Sequence, residues 1–162
     1  MKVAIKVIKK TKIDGCFKAN NEVFEELNVL KDITQAGCTN TLELIEHFQD
    51  QTQEYIVTKH MEGGDLFNFL VKQPNQPLFE DEALAIIRQI ANGVASLHSR
   101  NIIHRDIKID NILVDSSEEQ KRSESNFVIG DFGTAAKLRS KTDTSNFRVG
   151  TPGYVAPEVI LG

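Results

Sequence analysis

Three polar side chains in this sequence are of the types that metal-assisted phosphate chemistry uses. Magnesium prefers hard oxygen ligands, and Asn111 and Asp131 offer an amide oxygen and a carboxylate. Phosphate groups need a compensating positive charge, which Lys6 supplies as a compact ammonium on a β-branched, strand-like segment. A lone lysine on a strand is usually a surface residue, so these three residues indicate chemistry only together with the motifs around them.

Asn111 closes the strongest motif in the chain, the stretch His104-Arg105-Asp106-Ile107-Lys108-Ile109-Asp110-Asn111. A pattern with four fixed residues, H-R-D-x-x-x-x-N, matches by chance about once in 10⁵ positions. Taken alone, the His-Arg-Asp triplet is also compatible with a buried polar turn. Three further motifs stand around it in order, namely Val3-Ala4-Ile5-Lys6, Asp131-Phe132-Gly133 and Ala156-Pro157-Glu158. Their joint occurrence makes coincidence a poor explanation.

Hydrophobic periodicity places these motifs on a succession of strands and helices. The β-branched run 3–8 predicts a strand on which Ala4 and Lys6 share one face. Val23, Leu27 and Leu30 recur at helical spacing, and the stretch 37–40 ends that helix. Further strands are predicted at 42–48, 55–58, 112–114 and 127–129, loops at 9–20 and 115–125, and a long helix at 80–99. The apolar arc of that long helix is wide enough to need cover from more than one neighbour.

Together the motifs resemble the signature of eukaryotic-type protein kinases, and the resemblance covers nearly the whole chain. It implies an α+β, bilobal fold in one partial domain, 1–162. A small lobe (1–60) would hold a partial antiparallel sheet and one helix, and a large lobe (61–162) would hold truncated helical structure. Lys108 and the run from Gly150 to Glu158 resemble the serine/threonine branch. The implied activity is ATP-dependent phosphoryl transfer to serine or threonine hydroxyls of protein substrates.

The resemblance also implies roles for individual residues of the phosphoryl-transfer site. Asp131 would chelate the Mg²⁺ that bridges the ATP phosphates, and Asn111 would hold a second Mg²⁺. Asp106 would accept the proton of the substrate hydroxyl and orient it. Lys108 would neutralise charge on the transferred group, and the hydroxyl of Thr151 would bridge Asp106 and Lys108.

Lys6 needs a carboxylate to hold it over the phosphates. Glu26 is favoured because it lies beside the apolar stripe of the predicted helix, while Glu25 and Glu22 remain alternatives. On the strand of Lys6, the small side chain of Ala4 leaves room for a flat adenine.

The hinge strand and its surroundings supply the other predicted nucleotide contacts. Thr58 takes the gatekeeper position, Met61 presents hinge backbone groups to adenine, and Asp65 lies near the ribose. Leu113 is the last predicted cofactor contact. For the first three, ordinary strand and helix-cap residues are the alternative reading.

Composition limits the partners of the chain. A net charge of −4 argues against a nucleic-acid surface, and no apolar run is long enough to span a bilayer. The two cysteines form no C-x-x-C pair, which favours reduced thiols in the cytoplasm, with the nucleus also open. Arg105 and the candidate phosphosites Ser140, Thr142, Thr144 and Ser145 suggest control by an upstream activating kinase.

Two features depart from the kinase pattern. No glycine-rich loop precedes the Val-Ala-Ile-Lys strand, and the chain stops just after Ala-Pro-Glu. We therefore expect a domain that is truncated at both ends. The alternative function is a kinase-like regulatory or binding module that transfers no phosphate.

Overall fold

The structure is a computed structural model. It describes residues 2–13, 16–18, 21–72, 77–115, 125–140, 143 and 149–161, with the backbone alone at 12–13, 16–18 and 21–22. Ten strands and four helices fall within these ranges, together with short 3₁₀ turns. Among the described helices, none has both the length and the apolarity needed to cross a membrane.

An antiparallel sheet forms the centre of the N-terminal part of the chain. Strand β1 (Val3–Lys9) is followed by a short hairpin of β2 (Thr11–Ile13) and β3 (Cys16–Lys18). Strands β4 (Leu44–Gln49) and β5 (Gln53–Lys59) complete the sheet, whose order is β1-β5-β4. The prediction of a loop throughout 9–20 was wrong, because residues 11–13 and 16–18 form two short strands that pair with each other rather than with the sheet of β1, β5 and β4.

Helix α1 (Asn21–Gln35) packs its apolar stripe beneath this sheet. Val23, Leu27, Leu30 and Ile33 are buried at the i, i+4, i+7 spacing that puts them on one face. The helix ends where Gly37 adopts a positive φ of 63° and Cys38 N donates to the carbonyl of Ile33 at 3.0 Å. This is the left-handed termination for which glycine is suited.

A second antiparallel sheet lies in the C-terminal part. It consists of β6 (Gly64–Asp65), β8 (Ile112–Asp115) and β9 (Asn126–Ile129) in the order β6-β8-β9. Helix α2 (Leu66–Val71) follows β6, and the long helix α3 (Glu80–Ser99) packs on β9. Strands β7 (Ile102–Ile103) and β10 (Ala136–Lys137) pair as a separate ribbon, and α4 (Pro157–Leu161) closes the described chain. The predicted loop 115–125 lies largely outside the described residues.

The two parts meet through several polar contacts, one group of which centres on Asn40. Asn40 Nδ2 donates to the carbonyl of Phe127 at 2.9 Å and to Oε1 of Gln89 at 3.2 Å. Gln89 Oε1 also accepts from the Phe127 amide at 2.9 Å. Gln89 is a polar residue of α3, and its side-chain oxygen satisfies the backbone of β9.

Buried side chains from both parts form one core. Val29, Leu30, Ile33 and Ile56 of the first part pack with Ile112, Phe127, Ile129 and Phe132 of the second. The predicted α+β architecture, with helices and antiparallel sheets, is confirmed. This shared core fixes the catalytic motifs relative to the sheet that bears Lys6.

Candidate active site

The His-Arg-Asp stretch leaves β7 and ends in a 3₁₀ turn at Ile109–Asn111. His104 is buried, and its ring nitrogens have opposite roles. Nε2 donates to the carbonyl of Gly130 at 2.9 Å, and Nδ1 accepts from the amide of Asp106 at 3.3 Å. Burial lowers the pKa of His104, although its bond to Gly130 and the nearby carboxylates of Asp131 and Asp106 act in the opposite direction. A neutral His104 ring thus orients the backbone of Asp106.

Asp106 is the centre of a compact hydrogen-bonded cluster. Thr151 Oγ1 donates to Asp106 Oδ1 at 2.6 Å and accepts from Lys108 Nζ at 2.7 Å. Lys108 Nζ lies 3.2 Å from Asp106 Oδ2, to which Asn111 Nδ2 donates at 3.0 Å. Burial raises the pKa of Asp106, but the bonds from Thr151, Lys108 and Asn111 outweigh burial and leave the pKa below its ordinary value. The Asp106 carboxylate is therefore ionised at neutral pH and held in one orientation.

Gly130 joins the catalytic loop to the Asp-Phe-Gly segment. Its amide donates to the carbonyl of Asn111 at 2.9 Å, while its carbonyl accepts from His104. A Cβ at this position would lie 2.7 Å from Cδ1 of Leu113, so a side chain here would push against β8. Asp131 follows in a left-handed conformation with φ of 55°. Such backbone conformations in non-glycine residues concentrate at functional sites.

Phe132 turns into the core while Asp131 stays exposed. The Phe132 ring is 1% exposed and meets the His104 ring edge-to-face at a centroid distance of 5.2 Å. Leu30 belongs to the same core, and Leu44 of β4 packs against that core. The buried ring anchors the segment, so the carboxylate of Asp131 is directed away from the core.

Lys6 and Glu26 form the ion pair between β1 and α1. Lys6 Nζ donates to both carboxylate oxygens of Glu26, at 2.7 and 2.8 Å. The Glu26 side chain is 8% exposed and that of Lys6 is 50% exposed, so the lysine retains a solvent-facing side. Glu25 points to solvent, and the side chain of Glu22 lies outside the described residues.

A cavity of about 350 Å³ connects this ion pair to the Asp-Phe-Gly segment. Four of the predicted site residues line it, namely Lys6, Glu26, Thr58 and Asp131. The other residues that line the cavity are apolar, namely Leu30, Leu42, Ile56 and Phe132. The sequence analysis did not assign Leu42 or Ile56 to the site. Ile56 could have been predicted as a lining residue, because it lies two positions before Thr58 on β5 and therefore shares its face.

The remaining predicted nucleotide contacts lie outside the cavity lining. Ala4 is opposite Thr58 in the pairing of β1 with β5, and Asp65 is opposite Leu113 in the pairing of β6 with β8. Asp65 caps α2, where Oδ1 accepts from the Asn68 amide at 2.8 Å. Asp65 is therefore a helix-cap residue in this structure, which is the alternative interpretation given for it above.

The Met61 side chain is buried, and its carbonyl accepts from the amide of Gly64 at 3.1 Å. Arg105 has a positive φ of 68°, and its Nε donates to the carbonyl of Thr134 at 2.6 Å. Of the four candidate phosphosites, Ser140 is exposed, and Thr142, Thr144 and Ser145 lie outside the described residues.

The chemistry of the available donors fits a metal held jointly with a phosphate ligand. Within the described ranges, no group of three or more His, Cys, Asp and Glu side chains could hold an ion by itself. Magnesium in nucleotide sites takes one or two protein ligands and fills the rest of its shell with phosphate oxygens and water. Asp131 and Asn111 match that requirement in type.

The first part of the chain is an antiparallel sheet with a Lys–Glu pair. It joins a helical part that carries a His-Arg-Asp loop and an Asp-Phe-Gly segment. These features define the kinase-like class of α+β proteins. The comparison with known families agrees, since residues 1–162 match the protein kinase domain. The chain belongs to the protein kinase domain family.

Several curated relatives cover nearly the whole chain. It is 34% identical over 158 residues to serine/threonine-protein kinase PLK4 of Drosophila virilis, covering 98% of this chain and 19% of that protein. It is 34% identical over 162 residues to CBL-interacting protein kinase 11 of Oryza sativa subsp. japonica, covering 98% of this chain and 29% of that protein. It is 36% identical over 160 residues to calcium-dependent protein kinase 5 of Plasmodium berghei, covering 98% of this chain and 26% of that protein. The chain spans less than a third of the length of these relatives.

Proposed function

We propose that this chain carries the catalytic core of a serine/threonine protein kinase, which transfers a phosphoryl group from ATP to serine or threonine hydroxyls of protein substrates. The cluster of Asp106, Lys108, Thr151 and Asn111 is the observation that carries the proposal. It combines an ionised carboxylate, a lysine and a hydroxyl within hydrogen-bond distance of one another.

Each residue of the cluster has a separate task in this proposal. Asp106 accepts a hydrogen bond from the substrate hydroxyl and takes its proton. Thr151 keeps the carboxylate of Asp106 in the rotamer that faces the substrate, and Lys108 balances negative charge that builds up beside it. Because the pKa of Asp106 lies below its ordinary value, the carboxylate is unprotonated and ready to act at neutral pH.

The nucleotide and metal are assigned to the neighbouring cavity. Lys6, fixed by Glu26, binds phosphate oxygens, while Asp131 and Asn111 hold Mg²⁺. When bound, Mg-ATP supplies the transferable phosphoryl group and its charge neutralisation. The adenine and ribose contacts are assigned to Ala4, Thr58, Met61, Asp65 and Leu113.

The proposal includes three further points that come from the sequence. The small lobe comprises residues 1–60 and the large lobe 61–162, with the hinge between them. An upstream kinase acts on the segment 134–150, where Arg105 would pair with an added phosphate. The cytoplasmic location stays a prediction from the reduced thiols.

The deciding experiment uses the natural full-length protein and the variant Asp131→Asn. Removing the carboxylate should abolish phosphoryl transfer from radiolabelled ATP to a generic basic protein, with little change in thermal unfolding, since Asp131 is exposed. Asp81→Asn, an exposed carboxylate in the first turn of α3, is the matched control and should retain activity. Near-normal turnover in Asp131→Asn would remove the metal-ligand assignment. A wild-type protein that binds Mg-ATP but transfers nothing would favour the regulatory binding module.

A further inference from the structure

Asp32 lies near the C-terminal end of α1, and its carboxylate contacts two cations from the second half of the chain. Oδ1 accepts from the guanidinium of Arg100, with Nε at 3.1 Å, and Oδ2 pairs with the ammonium group of Lys137. The Asp32 side chain is 13% exposed, whereas those of Arg100 and Lys137 are 44% and 54% exposed. The hydrogen bond from Lys137, helped by Arg100 and opposed by burial, lowers the pKa of Asp32. This carboxylate is ionised and well enclosed by its partners.

The two cations flank the ribbon that holds the catalytic motifs. Arg100 is the C-cap of α3 and lies two residues before β7, while Lys137 ends β10 and pairs in register with Ile102 of β7. Strand β7 runs into the His-Arg-Asp loop, and β10 follows the Asp-Phe-Gly segment. The Asp32 carboxylate on α1 thus holds the residue that caps α3 just before β7 together with the last residue of β10, next to the loops that carry Asp106 and Asp131.

Helix α1 also carries Glu26, the partner of Lys6. A helix is rigid over this distance, so a shift of its C-terminal turns away from the ribbon would also move Glu26. We propose that Asp32 is a positioning residue that couples α1, and through it the Lys6–Glu26 pair, to the β7/β10 ribbon. Only the expected loss of turnover rests on the proposed kinase function, and the coupling of α1 to the ribbon does not.

The test uses the full-length protein and a double-mutant cycle. Asp32→Asn keeps the shape of the side chain and removes its charge, and Lys137→Met removes one partner. Each should lower kcat/KM for Mg-ATP about 5-fold, because the weakened ion pairs let α1 leave the ordered position more often. The double variant should be no worse than Asp32→Asn alone, since Asp32→Asn already breaks the contact that Lys137→Met removes. Lys31→Gln, the exposed neighbour on the same helix, is the control and should match wild type.

Hydrogen exchange separates positioning from mere fold stability. In Asp32→Asn the amides of 29–35 and 135–138 should exchange faster together, and those of β4 and β8 should be unchanged. Additive losses in the cycle, or an activity loss that only follows the folded fraction, would overturn the proposal. So would faster exchange in just one of the two segments. If the wild-type protein shows no phosphoryl transfer, the proposed function fails, and exchange in the same two segments still decides whether Asp32 couples them.

Discussion

The hydroxyl of Thr151 contacts two charged side chains of the His-Arg-Asp loop, donating to Asp106 and accepting from Lys108. In Thr151→Ala both contacts disappear, and the Asp106 carboxylate is free to rotate toward Lys108. A positioned general base contributes about 10²–10⁴-fold to rate, and we expect the variant to lose about 10–100-fold of this in kcat. The KM for ATP should change little, because Thr151 does not line the cavity.

Thr151→Ser is the matched control for this prediction, since it keeps the hydroxyl and removes only a methyl group. It should retain most of the wild-type kcat in the same steady-state assay. If the alanine variant turned over at the wild-type rate, the hydroxyl would have no part in orienting Asp106.

Because His104 is buried and neutral, we predict that the folded state loses stability in acid. Its pKa lies below the ordinary 6.5, so the unfolded chain binds a proton more readily than the folded one. Stability is therefore complete above about pH 6.5 and falls as the pH drops from there toward the folded pKa. Protonation at Nδ1 also breaks the bond from the Asp106 amide. We expect the melting temperature of wild type to decline between pH 7 and 5, with activity falling in parallel.

His104→Phe tests the origin of that decline. The variant should be less stable at pH 7, because the carbonyl of Gly130 loses its donor, but its melting temperature should depend less on pH between 7 and 5. His98→Gln, at an exposed histidine of α3, should keep the wild-type slope. Equal slopes in wild type and His104→Phe would show that another group causes the acid sensitivity.

Recognised motifs predicted long-range contacts in this region better than they predicted the residues around those contacts. Lys6 and Glu26, like Asp106 and Thr151, are far apart in sequence, and only a recognised pattern could pair them before the fold was known. Asp32 carried no such signal, because a single aspartate on a helix is ordinarily a solvated residue. Its partners Arg100 and Lys137 come from segments whose approach depends on the tertiary packing of α1 against the ribbon.

The contact between α3 and β9 depends on Gly93. A Cβ there would lie 2.7 Å from the carbonyl oxygen of Asn40 and 2.9 Å from Cδ1 of Ile129. Alanine is the better helix former by about 1 kcal/mol, but an overpacked contact costs about 1–3 kcal/mol, and the first of these neighbours is backbone. We therefore expect Gly93→Ala to lower the free energy of unfolding by about 1 kcal/mol, measured by urea denaturation.

Asn92→Ala is the control on the same turn of α3. Asn92 is exposed, so the better helix former should leave stability unchanged or raise it by a few tenths of a kcal/mol. A Gly93→Ala protein more stable than wild type would mean that α3 can move away from Asn40 without loss.

Long periodic segments were predictable, and short pairings were not. The helix predicted at 80–99 matches α3 as observed, because its apolar period runs through the whole segment. The β2/β3 hairpin has only three residues per strand, of mixed polar and apolar type, so neither periodicity nor hydrophobicity marked it in advance. The ribbon of β7 and β10 has two residues per strand and exists because the catalytic loop and the Asp-Phe-Gly segment are brought together by Gly130 and Phe132.

Considered as one body, the described chain buries a shared core and leaves several apolar faces open. On α3, Ile86 and Leu97 are buried against the rest of the fold, whereas Leu84 and Ile87 are 56% and 60% exposed. In β1, Ile5 and Val7 are similarly exposed on the face opposite Lys6. The wide apolar arc predicted for 80–99 is present, and only part of it is covered within these residues.

A polypeptide of just these 162 residues should therefore be marginally stable and prone to associate. Leaving about 400 Å² of apolar surface uncovered forgoes about 10 kcal/mol at about 25 cal/mol per Å². That is comparable to the whole stability of a typical domain, about 5–15 kcal/mol. We expect broad thermal unfolding, strong binding of a hydrophobic dye, association that rises with concentration, and weak phosphoryl transfer to a generic basic protein.

Paired substitutions on α3 locate the cause of that behaviour. Replacing the exposed Leu84 and Ile87 by glutamine should reduce dye binding and association while the unfolding midpoint stays nearly constant, because neither side chain is in the core. Replacing the buried Ile86 by glutamine should instead unfold the chain, since an amide in the core lacks partners. A cooperative monomer with ordinary kinase turnover in the unmodified polypeptide would contradict the prediction, because the exposed faces would then cost the fold almost nothing.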